Sequence, residues 1–543
     1  MKKKSYAHVL KTIYDNISIY ILGGSKKHLA NAPKWTTFQH NGPYFSPDYM
    51  PHQVPVMLRN QAIFLTPVIE EYLTFYVRYL DTEYIKIPAF KTNFWHDFKI
   101  LLKNRPEEKY IRTLEDFGQL DFSRIKAYLA TKEKQPVSGD IGEYYGFAIV
   151  DGVKQPVGNY RVEPPGIFIG RGKHPQIGKI KPRLYPENFT LNLSADATVP
   201  PAPTMEGSPR SWKSIVHNRQ VEWLASWVDP ISKKTKYIWL SNSSHWKAKS
   251  DKTKFSLAET LEAHIKKLRK KNLDNLNSKD AKIRQLSTAL YLIDNLSIRV
   301  GNEKSADELD TVGATSLRCK HIKMLSNDPP TIELDFLGKD SVRYFNQVKV
   351  NADIYRNLLE MSQGKGPNDP LFDRISGHDI NKYLQNFMPR LTAKVFRTYN
   401  SSRIFKEQLS KIKTEGKSEK EILKEYNQAN ITVARLCNHQ KSVPKNHEKT
   451  VKKIKEQIKE EKQKLRGDDQ KKTSRQKLER LELKKKDLIE NINLSITTSK
   501  TNYIDPRIGI EFLIQNKIPL EKVFSKTLLK KFKWAVDEVK QKS

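Results

Sequence analysis

The chain has 543 residues, too many for a single hydrophobic core, which predicts roughly two to four domains. Its formal net charge of +35 exceeds what solubility requires, so the favoured partner is a polyanion, nucleic acid first and an anionic membrane surface second. Its two cysteines, Cys319 and Cys437, exclude a disulfide framework and a zinc site made of cysteine alone, and they suit a reducing compartment.

The N-terminal part of the sequence alternates between irregular, helical and stranded patterns. Residues 7–22 are mildly apolar but contain Lys11 and Asp15, which predicts a short amphipathic helix rather than a signal peptide or a membrane span. Residues 32–55 are rich in Pro, Gly and aromatic side chains and predict irregular or short-stranded structure, whereas the apolar spacing over residues 66–129 is largely helical. Strands are predicted over residues 145–152, 221–227 and 236–240.

A glycine-rich basic loop occupies residues 163–175, with the sequence EPPGIFIGRGKHP. Its glycines permit close approach of the backbone, and Arg171, Lys173 and His174 can meet an anion there. The loop is not a Walker phosphate-binding loop, because it contains no Gly-Lys-Ser/Thr. Many such loops are only turns, so this pattern alone is a weak indication of an anion site.

The next part of the chain predicts a helix and then a hairpin. Residues 256–300 have a helical pattern, with an apolar stripe that runs to Arg299 and a helix end marked by Gly301. An arginine at that place is ordinarily solvated and interacts with the helix dipole. Residues 332–345 predict a β-hairpin with Lys339 at its tip. A lysine there is usually solvated, although it can also be held in a DNA groove.

Arg397 and His439 lie in partly apolar segments farther along the chain. For Arg397, within residues 391–400, a structural ion pair is the simplest expectation. For His439, within residues 426–440, the simplest expectation is an ordinary capping or buried histidine. Neither residue alone indicates a catalytic role.

From residue 447 to residue 490 the sequence consists almost entirely of Lys, Glu, Gln and Leu or Ile. Its apolar positions recur at helical spacing and residues 467–469 interrupt them, which predicts two helices folded back as an antiparallel coiled-coil hairpin. The spaced apolar residues are Val451, Ile454, Ile458, Leu465, Leu478, Leu481, Leu488 and Ile492. A solvated low-complexity helix is the simpler alternative, and in either case the segment connects rather than catalyses.

Near the C-terminus, Asp505 and Pro506 have the pattern of an N-cap and a first helical residue, so a helix is predicted to begin there. Tyr503 then lies in the turn before this helix. For an arbitrary tyrosine in such a turn, a surface side chain is the better interpretation. The basic residues elsewhere in the chain, which could surround a phosphate, favour a functional interpretation of Tyr503.

A series of segments, in order along the chain, carries a resemblance to a known family. They read EPPGIFIGRGKHP, ALYLIDNLSIRVGNEK, DTVGATSLRCKHI, FLGKDSVRYFN, LTAKVFRTYN, LCNHQ and SKTNYIDPRIG. Together they resemble the eukaryotic-type DNA topoisomerase I family, of the type IB class, from about Trp35 to the C-terminus. A single match would mean little, but the ordered series is very specific.

The resemblance implies an α+β multidomain clamp around duplex DNA, with a mixed α/β cap, a mostly helical catalytic domain, an antiparallel coiled-coil linker and a small helical C-terminal domain. The corresponding ranges here are a short extension over residues 1–32, a cap over 33–244 in which 51–128 is mainly helical, a catalytic domain over 245–442, a linker over 443–492 and a C-terminal domain over 493–543. A hairpin linker would return the chain to near the place where it left, with Tyr503 following it.

The resemblance also implies the roles of individual residues. The nucleophile falls on Tyr503, the two phosphate-binding arginines on Arg299 and Arg397, the general acid on Lys339 and a further hydrogen-bond donor on His439. Residues implied in contact with DNA or with camptothecin-like drugs are Arg171, Lys173, His174, Asp340, Lys394 and Asn502. The family's loop usually has an arginine where this chain has Ile169, which predicts the loss of one cap contact.

The implied reaction is transient cleavage of one DNA strand through a 3′-phosphotyrosine, followed by rotation and religation, with neither ATP nor a required metal. No cofactor is expected, since the sequence offers no clustered carboxylates to hold a metal ion. The expected partner is double-stranded DNA, without a membrane or an obligate protein partner, and the expected state is a monomer. The expected location is the nucleus for a cellular source, and the nucleus, viral factory or virion for a viral one.

Two alternatives belong to other functional classes. A tyrosine recombinase has a similar arginine, lysine and tyrosine set, but it typically has His-x-x-Arg where residues 394–397 read Lys-Val-Phe-Arg, and it lacks the large cap and the linker hairpin. A non-catalytic DNA-binding or chromosome-architectural protein would account for the charge and the coiled coil. It would not account for the ordered segments around the five implied catalytic residues.

Overall fold

The computed structural model describes residues 33–542, except 113, 116, 132–139, 303–309, 441–445, 466–471 and 492. The helix predicted at residues 7–22 and the break predicted at residues 467–469 therefore lie outside the described residues. The chain divides into two compact units, the first ending at Lys247 and the second beginning at Ala248. Both units combine helices with small β-sheets, which agrees with the predicted mixture of α and β structure.

The elements of the first unit are short. Its strands are β1 (Phe38–His40), β2 (Val56–Leu58), β3 (Gln61–Ile63), β4 (Leu120–Asp121), β5 (Phe147–Val150), β6 (Val153–Pro156), β7 (Gly166–Ile167), β8 (Ile180–Lys181), β9 (Thr190–Asn192), β10 (Ser214–Val216), β11 (Trp223–Val228) and β12 (Thr235–Trp239). Its α-helices are α1 (Pro67–Val77), α2 (Pro88–Leu102), α3 (Glu108–Ile111), α4 (Ser123–Thr131) and α5 (Asp140–Tyr145). The sheets have the strand orders β1-β5-β6, β3-β2-β4, β7-β8 and β10-β9-β11-β12.

Aromatic side chains hold the helical part of this unit together. A proline starts both α1 and α2, since proline at the first helical position gives up no intrahelical hydrogen bond. Phe90, Phe94 and Phe98 follow one another at a spacing of four, so they share one face of α2, and all three are fully buried. The largely helical character predicted for residues 66–129 is confirmed.

The strands predicted in this unit are also present. β5 and β6 pair antiparallel through the two residues Asp151 and Gly152, whose φ angles are 49° and 76°. Positive φ at both positions matches the twist of a hairpin, and Asp-Gly is a favoured pair for that turn. β11 and β12 also pair antiparallel, and their inward side chains join a core that contains Trp35 and Phe189.

The second unit is mostly helical and has one three-stranded sheet. Its strands are β13 (Ile322–Asn327), β14 (Pro330–Leu337) and β15 (Arg343–Lys349). Its helices, the first of which begins just before the boundary, are α6 (His245–Asp274), α7 (Ala281–Leu296), α8 (Ala352–Ser362), α9 (Gly377–Gln385), α10 (Ala393–Ser410), α11 (Glu419–Leu436), α12 (His447–Leu465), α13 (Lys472–Asn491), α14 (Ile496–Asn502), α15 (Pro506–Gln515), α16 (Lys526–Lys531) and α17 (Lys533–Lys542).

Helix α7 is largely buried in the main hydrophobic core of the second unit. Its N-terminus is capped by Asp280, whose carboxylate accepts a hydrogen bond from the backbone N–H of Lys282 at 2.7 Å. The predicted apolar stripe faces the core, because spacings of three and four place its residues on one side of a helix. Ala289, Leu292, Ile293 and Leu296 are all buried.

The end of α7 differs from the prediction. The helix ends at Leu296 and not near Gly301, and Ser297 takes the left-handed conformation, with φ of 52°. The reason is a tertiary contact, since the Ser297 carbonyl accepts a hydrogen bond from the Arg397 side chain. Gly301 also has a positive φ, 87°, but it lies in the loop beyond the helix. Arg299 is therefore a loop residue.

The predicted hairpin over residues 332–345 is confirmed as β14 and β15, which pair antiparallel. Lys339 begins the single 3₁₀ turn that joins them. The stacked rings of Phe336 and Tyr344, with centres 5.0 Å apart, pack across the two strands close to this turn. β13 adds a third strand that the sequence analysis did not predict.

The two charged helices α12 and α13 pack side by side. Ion pairs between described side chains join them, Glu461–Lys477 at 2.7 Å and Lys462–Glu482 at 2.8 Å. Of the predicted apolar seam, Ile454 and Ile458 are buried, whereas the side chains of Leu465, Leu488 and Ile492 lie outside the described part of the structure. The packing thus combines a narrow apolar contact with charged pairs at its edges.

Helices α15 to α17 pack with α10 and α11 in a second core of this unit. Its large buried side chains are Phe405, Tyr426, Ile510, Phe524 and Phe532. This core ties the C-terminal segment, which carries Tyr503, to helices that lie before the charged pair in the sequence. None of the helices that the structure describes has the length and apolar character needed to cross a membrane.

Candidate active site

Tyr503 lies in the turn between α14 and α15, as predicted. The carbonyl of Ser499 accepts hydrogen bonds from the backbone N–H groups of Tyr503 (2.9 Å) and Ile504 (3.0 Å), which ends α14. Asp505 then caps α15 by accepting a hydrogen bond from the N–H of Arg507 at 3.0 Å. The interpretation of Tyr503 as a surface side chain is wrong, because only 8% of the residue is exposed.

A serine on α10 holds this turn in place. The Ser402 hydroxyl accepts a hydrogen bond from the backbone N–H of Asp505 (2.9 Å) and donates one to the carbonyl of Tyr503 (3.3 Å). One side chain therefore fixes the backbone at Tyr503 and just beyond it. Sequence reasoning missed Ser402, because a serine inside a helix has no local signal of such a contact. Its only indication is its position two residues after the LTAKVFRTYN segment.

Arg299 lies beyond α7 and donates a hydrogen bond from Nη1 to Tyr503 Oη at 2.8 Å. The backbone N–H of Ala314 donates to the Arg299 carbonyl at 2.8 Å and holds this segment in place. Gly313 allows the two backbone segments to lie this close together, because a Cβ at position 313 would lie 2.6 Å from the Arg299 carbonyl oxygen. The solvated arginine expected from the sequence is instead half-buried against Tyr503.

Arg397 projects from α10 and is only 5% exposed. Its guanidinium donates to the carbonyls of Ser297 and Cys437 and contacts His439 Nε2 at 3.2 Å. Its Cζ atom lies 4.9 Å from the centre of the Tyr503 ring. The ion pair expected from the sequence is not found among the described residues, where Arg397 Nε also has no hydrogen-bond partner. The positive charge is therefore balanced by carbonyl dipoles and stays available to an anion.

His439 follows α11 and is 4% exposed, in agreement with the expected buried histidine. Its Nδ1 lies 2.7 Å from the Ser499 hydroxyl, and its ring stacks on that of Tyr503 with 4.9 Å between the centres. Burial, followed by the charges of Arg397 and Arg299, lowers the pKa of His439 to about 3. The imidazole is therefore neutral at neutral pH.

Lys339, at the tip of the hairpin, lines a small cavity together with Arg299 and Arg397. Tyr344 and Asn438 are also part of its wall. The hairpin is tied to the segment that leads to His439, because Asn438 Nδ2 donates to the carbonyl at the start of β15 at 3.0 Å. The structure thus brings three of the implied catalytic residues, Arg299, Arg397 and His439, into contact with Tyr503 and places Lys339 on the cavity that the two arginines line.

The two guanidiniums concentrate positive charge at this cavity. Burial, followed by the proximity of Arg397, lowers the pKa of Arg299. Arginine remains protonated in proteins, so the two like charges persist until an anion enters. Their N–H groups can bind a phosphate and stabilise the charge that grows on it during transfer. Among the described residues, no group of three or more His, Cys, Asp or Glu side chains is placed to hold a metal ion.

Three other predicted residues of this unit lie at the ends of its elements. Asp340 follows Lys339 in the hairpin turn with φ of 66°. Asn502 directly precedes Tyr503 with an exposed side chain, and its Nδ2 donates to the carbonyl of Thr498 at 3.2 Å. Lys394 is exposed in the first turn of α10. All three side chains are exposed.

The remaining predicted residues, Arg171, Lys173 and His174, belong to the first unit, in the loop between β7 and β8. Two glycines of this loop have φ angles of 58° and 57°, so the backbone turns tightly there. Arg171 and Lys173 are exposed, whereas His174 is half-buried with its ring 4.8 Å from that of Phe168. Ile169 packs against the helical core of the unit, so an apolar contact stands at the position where the family usually has an arginine.

Three family models match the chain in consecutive segments. The model described as the DNA binding fragment of eukaryotic DNA topoisomerase I matches residues 33–240. The catalytic core of the same enzyme matches residues 243–472, and a C-terminal topoisomerase domain matches residues 475–542. The last two matches contain all five residues of the candidate site.

Curated relatives named DNA topoisomerase 1 are similar over 93% of this chain. The protein of Drosophila melanogaster is 38% identical over 537 residues and that of Caenorhabditis elegans 38% over 547. The protein of Homo sapiens is 37% identical over 550 residues. The chain spans 54%, 67% and 71% of the lengths of these three relatives, respectively. The chain therefore belongs to the eukaryotic DNA topoisomerase I family.

Proposed function

We propose that this protein is a type IB DNA topoisomerase that relaxes positive and negative supercoils. It cuts one strand of duplex DNA, holds the 3′ end on a tyrosine, lets the free 5′ end rotate and then reseals the strand. The observation that carries the proposal is the contact between Arg299 Nη1 and Tyr503 Oη at 2.8 Å, beside the second guanidinium of Arg397. The family of the chain supports the same function.

Tyr503 is the proposed nucleophile. An unperturbed phenol has a pKa of about 10 and is a poor nucleophile at neutral pH. Arg299 donates a hydrogen bond to the tyrosine oxygen and so holds it at the cationic end of the site. The contacts from Ser402 hold the backbone of the turn, so the oxygen keeps its place beside the arginines.

The other residues of the site act on the phosphate. Arg299, Arg397 and His439 are the proposed ligands of its non-bridging oxygens, where charge grows in the transition state. Lys339 is the proposed general acid that protonates the leaving 5′ oxygen. The phosphotyrosine conserves the energy of the broken bond, so religation needs no ATP. The cationic donors supply the charge stabilisation that a metal ion supplies in other phosphoryl-transfer sites, and no metal requirement is proposed.

The proposed architecture is a clamp around duplex DNA. Its cap is the region of residues 33–244, its catalytic domain residues 245–442, its coiled-coil linker residues 443–492 and its C-terminal domain residues 493–543. The division of the chain after Lys247 and the packing of α12 on α13 support these ranges. Tyr503 would then be joined to the catalytic domain through the linker and through the core that α15 to α17 share with α10 and α11.

Duplex DNA is the proposed substrate, and the protein is proposed to act as a monomer. The net charge of +35 supports a polyanionic ligand. Most of the affinity should come from contacts with phosphates, so binding should weaken with salt and depend little on base sequence. The proposed contacts outside the catalytic cluster are Arg171, Lys173, His174 and Lys394.

We expect the purified protein to relax both negatively and positively supercoiled plasmid in the presence of EDTA and without a nucleotide. The reason is that the two arginines supply the charges, Lys339 the proton and His439 a further hydrogen bond for the transfer. The measurement is the distribution of topoisomers on an agarose gel over time, with plasmid of no selected sequence.

Three other outcomes of the relaxation assay would contradict the proposed mechanism or favour another function. An absolute requirement for Mg²⁺ or for a nucleotide would contradict the mechanism. Activity confined to plasmids that carry one particular sequence would favour a tyrosine recombinase. Tight binding without any change of topology would favour a DNA-binding architectural protein.

We also expect camptothecin to increase the amount of nicked, protein-linked plasmid, and Asn502→Ser to weaken that effect roughly five- to tenfold through a lost hydrogen bond. The proposed drug position is the nicked duplex beside Tyr503, where Asp340 and Asn502 are the proposed contacts of the second unit. The control is Asn295→Ser, because Asn295 also donates to the carbonyl four residues before it on an exposed helix face. An unchanged amount of linked plasmid with the drug would contradict the proposed drug position.

A further inference from the structure

We propose that Ser499 is a positioning residue that pairs with Nδ1 of His439 in either tautomer, so that the ring can carry its proton on the nitrogen that the DNA-free or the DNA-bound state requires. Its role presupposes the proposed function, in which His439 donates a hydrogen bond to the scissile phosphate. That role requires a proton on Nε2, the nitrogen that faces the arginines. In the DNA-free protein Nε2 faces a hydrogen-bond donor, Arg397, and so carries no proton. The ring proton must therefore lie on different nitrogens in the DNA-free and the DNA-bound protein.

The first step concerns Nε2 of His439. It lies 3.2 Å from Nη2 of Arg397, and a guanidinium has only hydrogen-bond donors. Nε2 must therefore be the acceptor. The lowered pKa of His439 agrees with a neutral ring, since Arg397 and Arg299 both disfavour a second positive charge there. A neutral imidazole whose Nε2 accepts carries its single proton on Nδ1.

The second step concerns Nδ1 of His439. It lies 2.7 Å from the hydroxyl of Ser499, a residue that is completely buried. With the proton on Nδ1, the ring donates and the serine oxygen accepts. Ser499 is thus the partner that makes this tautomer stable in the DNA-free protein, because a buried N–H without an acceptor is unfavourable.

The third step is the arrival of DNA. A phosphate attracts the Nη2 group of Arg397 and offers Nε2 of His439 an acceptor in place of a donor. The neutral ring then needs its proton on Nε2, while Nδ1 becomes the acceptor. A hydroxyl can donate as well as accept, so Ser499 turns its own proton toward Nδ1. In the net change, Nδ1 releases a proton to water and Nε2 takes one from water, so the ring is neutral before and after the exchange.

The backbone around Ser499 explains why the proton moves and the ring does not. The carbonyl of His439 accepts a hydrogen bond from the N–H of Ser495 at 2.7 Å, at the start of the same helix. The carbonyl of Ser499 accepts from the N–H of Tyr503 at 2.9 Å. The ring also stacks on the tyrosine. Ser499, His439 and the nucleophile are therefore held as one rigid group, in which a hydroxyl rotation is the small change that remains.

The direct test is nuclear magnetic resonance of the full chain labelled with ¹⁵N in its histidine rings. The His439 signals are identified by their loss in His439→Gln. The protein is measured alone, and Tyr503→Phe is measured with a short DNA duplex so that no covalent bond forms. We expect the proton on Nδ1 without DNA and on Nε2 with DNA. A proton on Nε2 in the free protein, a doubly protonated ring with DNA, or no change between the two states would overturn the proposal.

The kinetic test is single-turnover cleavage of a short DNA duplex. Ser499→Ala should slow cleavage about 10- to 100-fold, the effect of an unpaired buried polar group, and Ser499→Thr, which keeps a hydroxyl, should recover most of the rate. Ser401→Ala is the matched control, because Ser401 is equally buried but contacts the sulfur of Cys437. In the His439→Gln background, Ser499→Ala should not slow cleavage any further. If Ser499 only stabilised the fold, its substitution would slow cleavage in that background too.

The outcomes separate the role of Ser499 from the proposed function. Wild-type cleavage with an unaffected Ser499→Ala variant would reject the positioning role and leave the topoisomerase activity standing. Absence of cleavage by the wild-type protein would reject the proposed function itself. If Ser499→Ala does not fold, the resonance measurement on the two folded proteins still decides which nitrogen carries the proton.

Discussion

Tyr503→Phe is expected to abolish strand cleavage while leaving DNA binding nearly unchanged. The substitution removes only the phenol oxygen, and the ring can keep its stacking on His439 and its place below the Arg397 guanidinium. Because the proposed reaction passes through a bond to that oxygen, no partial pathway remains. The expected loss of cleavage rate is on the order of 10⁶-fold, as for removal of the nucleophile from another covalent enzyme.

The measurement is trapping of the covalent adduct by denaturant, followed by mapping of the linked peptide and of the DNA end. The wild-type protein should carry the 3′ end of the nicked strand on the peptide that contains Tyr503. Tyr399→Phe is the matched control, since it removes a phenol from a buried tyrosine on α10 of the same unit. An adduct on the 5′ end, or on any other tyrosine, would refute the assignment.

Lys339→Ala should slow cleavage by about 10²- to 10⁴-fold, the usual contribution of a general acid, with little change in DNA affinity. Lys339 sits at the hairpin tip on the cavity that Arg299 and Arg397 line, where a scissile phosphate is proposed to bind. Without the lysine, the 5′ oxygen must leave as an unprotonated alkoxide. The measurement is the rate constant of cleavage in a single turnover, with the enzyme in excess over a short duplex.

A substrate with sulfur in place of the bridging 5′ oxygen makes this test specific. A thiolate leaves without a proton, so the phosphorothiolate should restore cleavage by Lys339→Ala to near the wild-type rate. Lys349→Ala is the control, because it removes an exposed lysine from β15 of the same hairpin, at the end far from the turn. A variant that stays slow on the sulfur substrate would mean that Lys339 positions the DNA and does not donate a proton.

Much of the local structure around the site could be predicted from the sequence. The start of α15 follows from the Asp505–Pro506 pair, and the hairpin that carries Lys339 follows from alternating strands around a turn. Both signals are local, because the residues that determine the conformation are adjacent in the chain. The placement of Tyr503 in a turn before a helix could be predicted for the same reason.

The surroundings of Arg299 could not be predicted in this way. The glycine at position 301 suggested a helix end, yet the helix stops earlier because the Ser297 carbonyl is bound by Arg397, a residue a hundred positions away in the chain. The contact that turns Arg299 toward Tyr503 depends on Gly313, which looks like any loop glycine in the sequence. Such contacts arise from tertiary packing, which has no periodic pattern.

The serines that hold the site were missed for a related reason. Ser402 and Ser499 are small polar residues inside helices, where the usual expectation is a solvent-facing hydroxyl or a bond to the previous turn. Both instead make contacts with segments distant in the sequence. The charged catalytic residues stood out through their resemblance to a family, whereas the residues that orient them became visible only in three dimensions.

The pair of like charges at Arg299 and Arg397 also affects how the protein folds. Burial, followed by the charge of Arg397, lowers the pKa of Arg299 in the native state, which makes folding less favourable at every pH where the guanidinium is charged. A phosphate between the two arginines would remove that repulsion, so DNA acts as a ligand of the native state and raises its stability. A mutation that neutralises Arg299 would thus stabilise the DNA-free protein while it disables the site, whereas removal of Arg397 would also leave the carbonyls of Ser297 and Cys437 without their donor. The charge of Arg299 therefore lowers the stability of the DNA-free protein while it serves the binding of DNA.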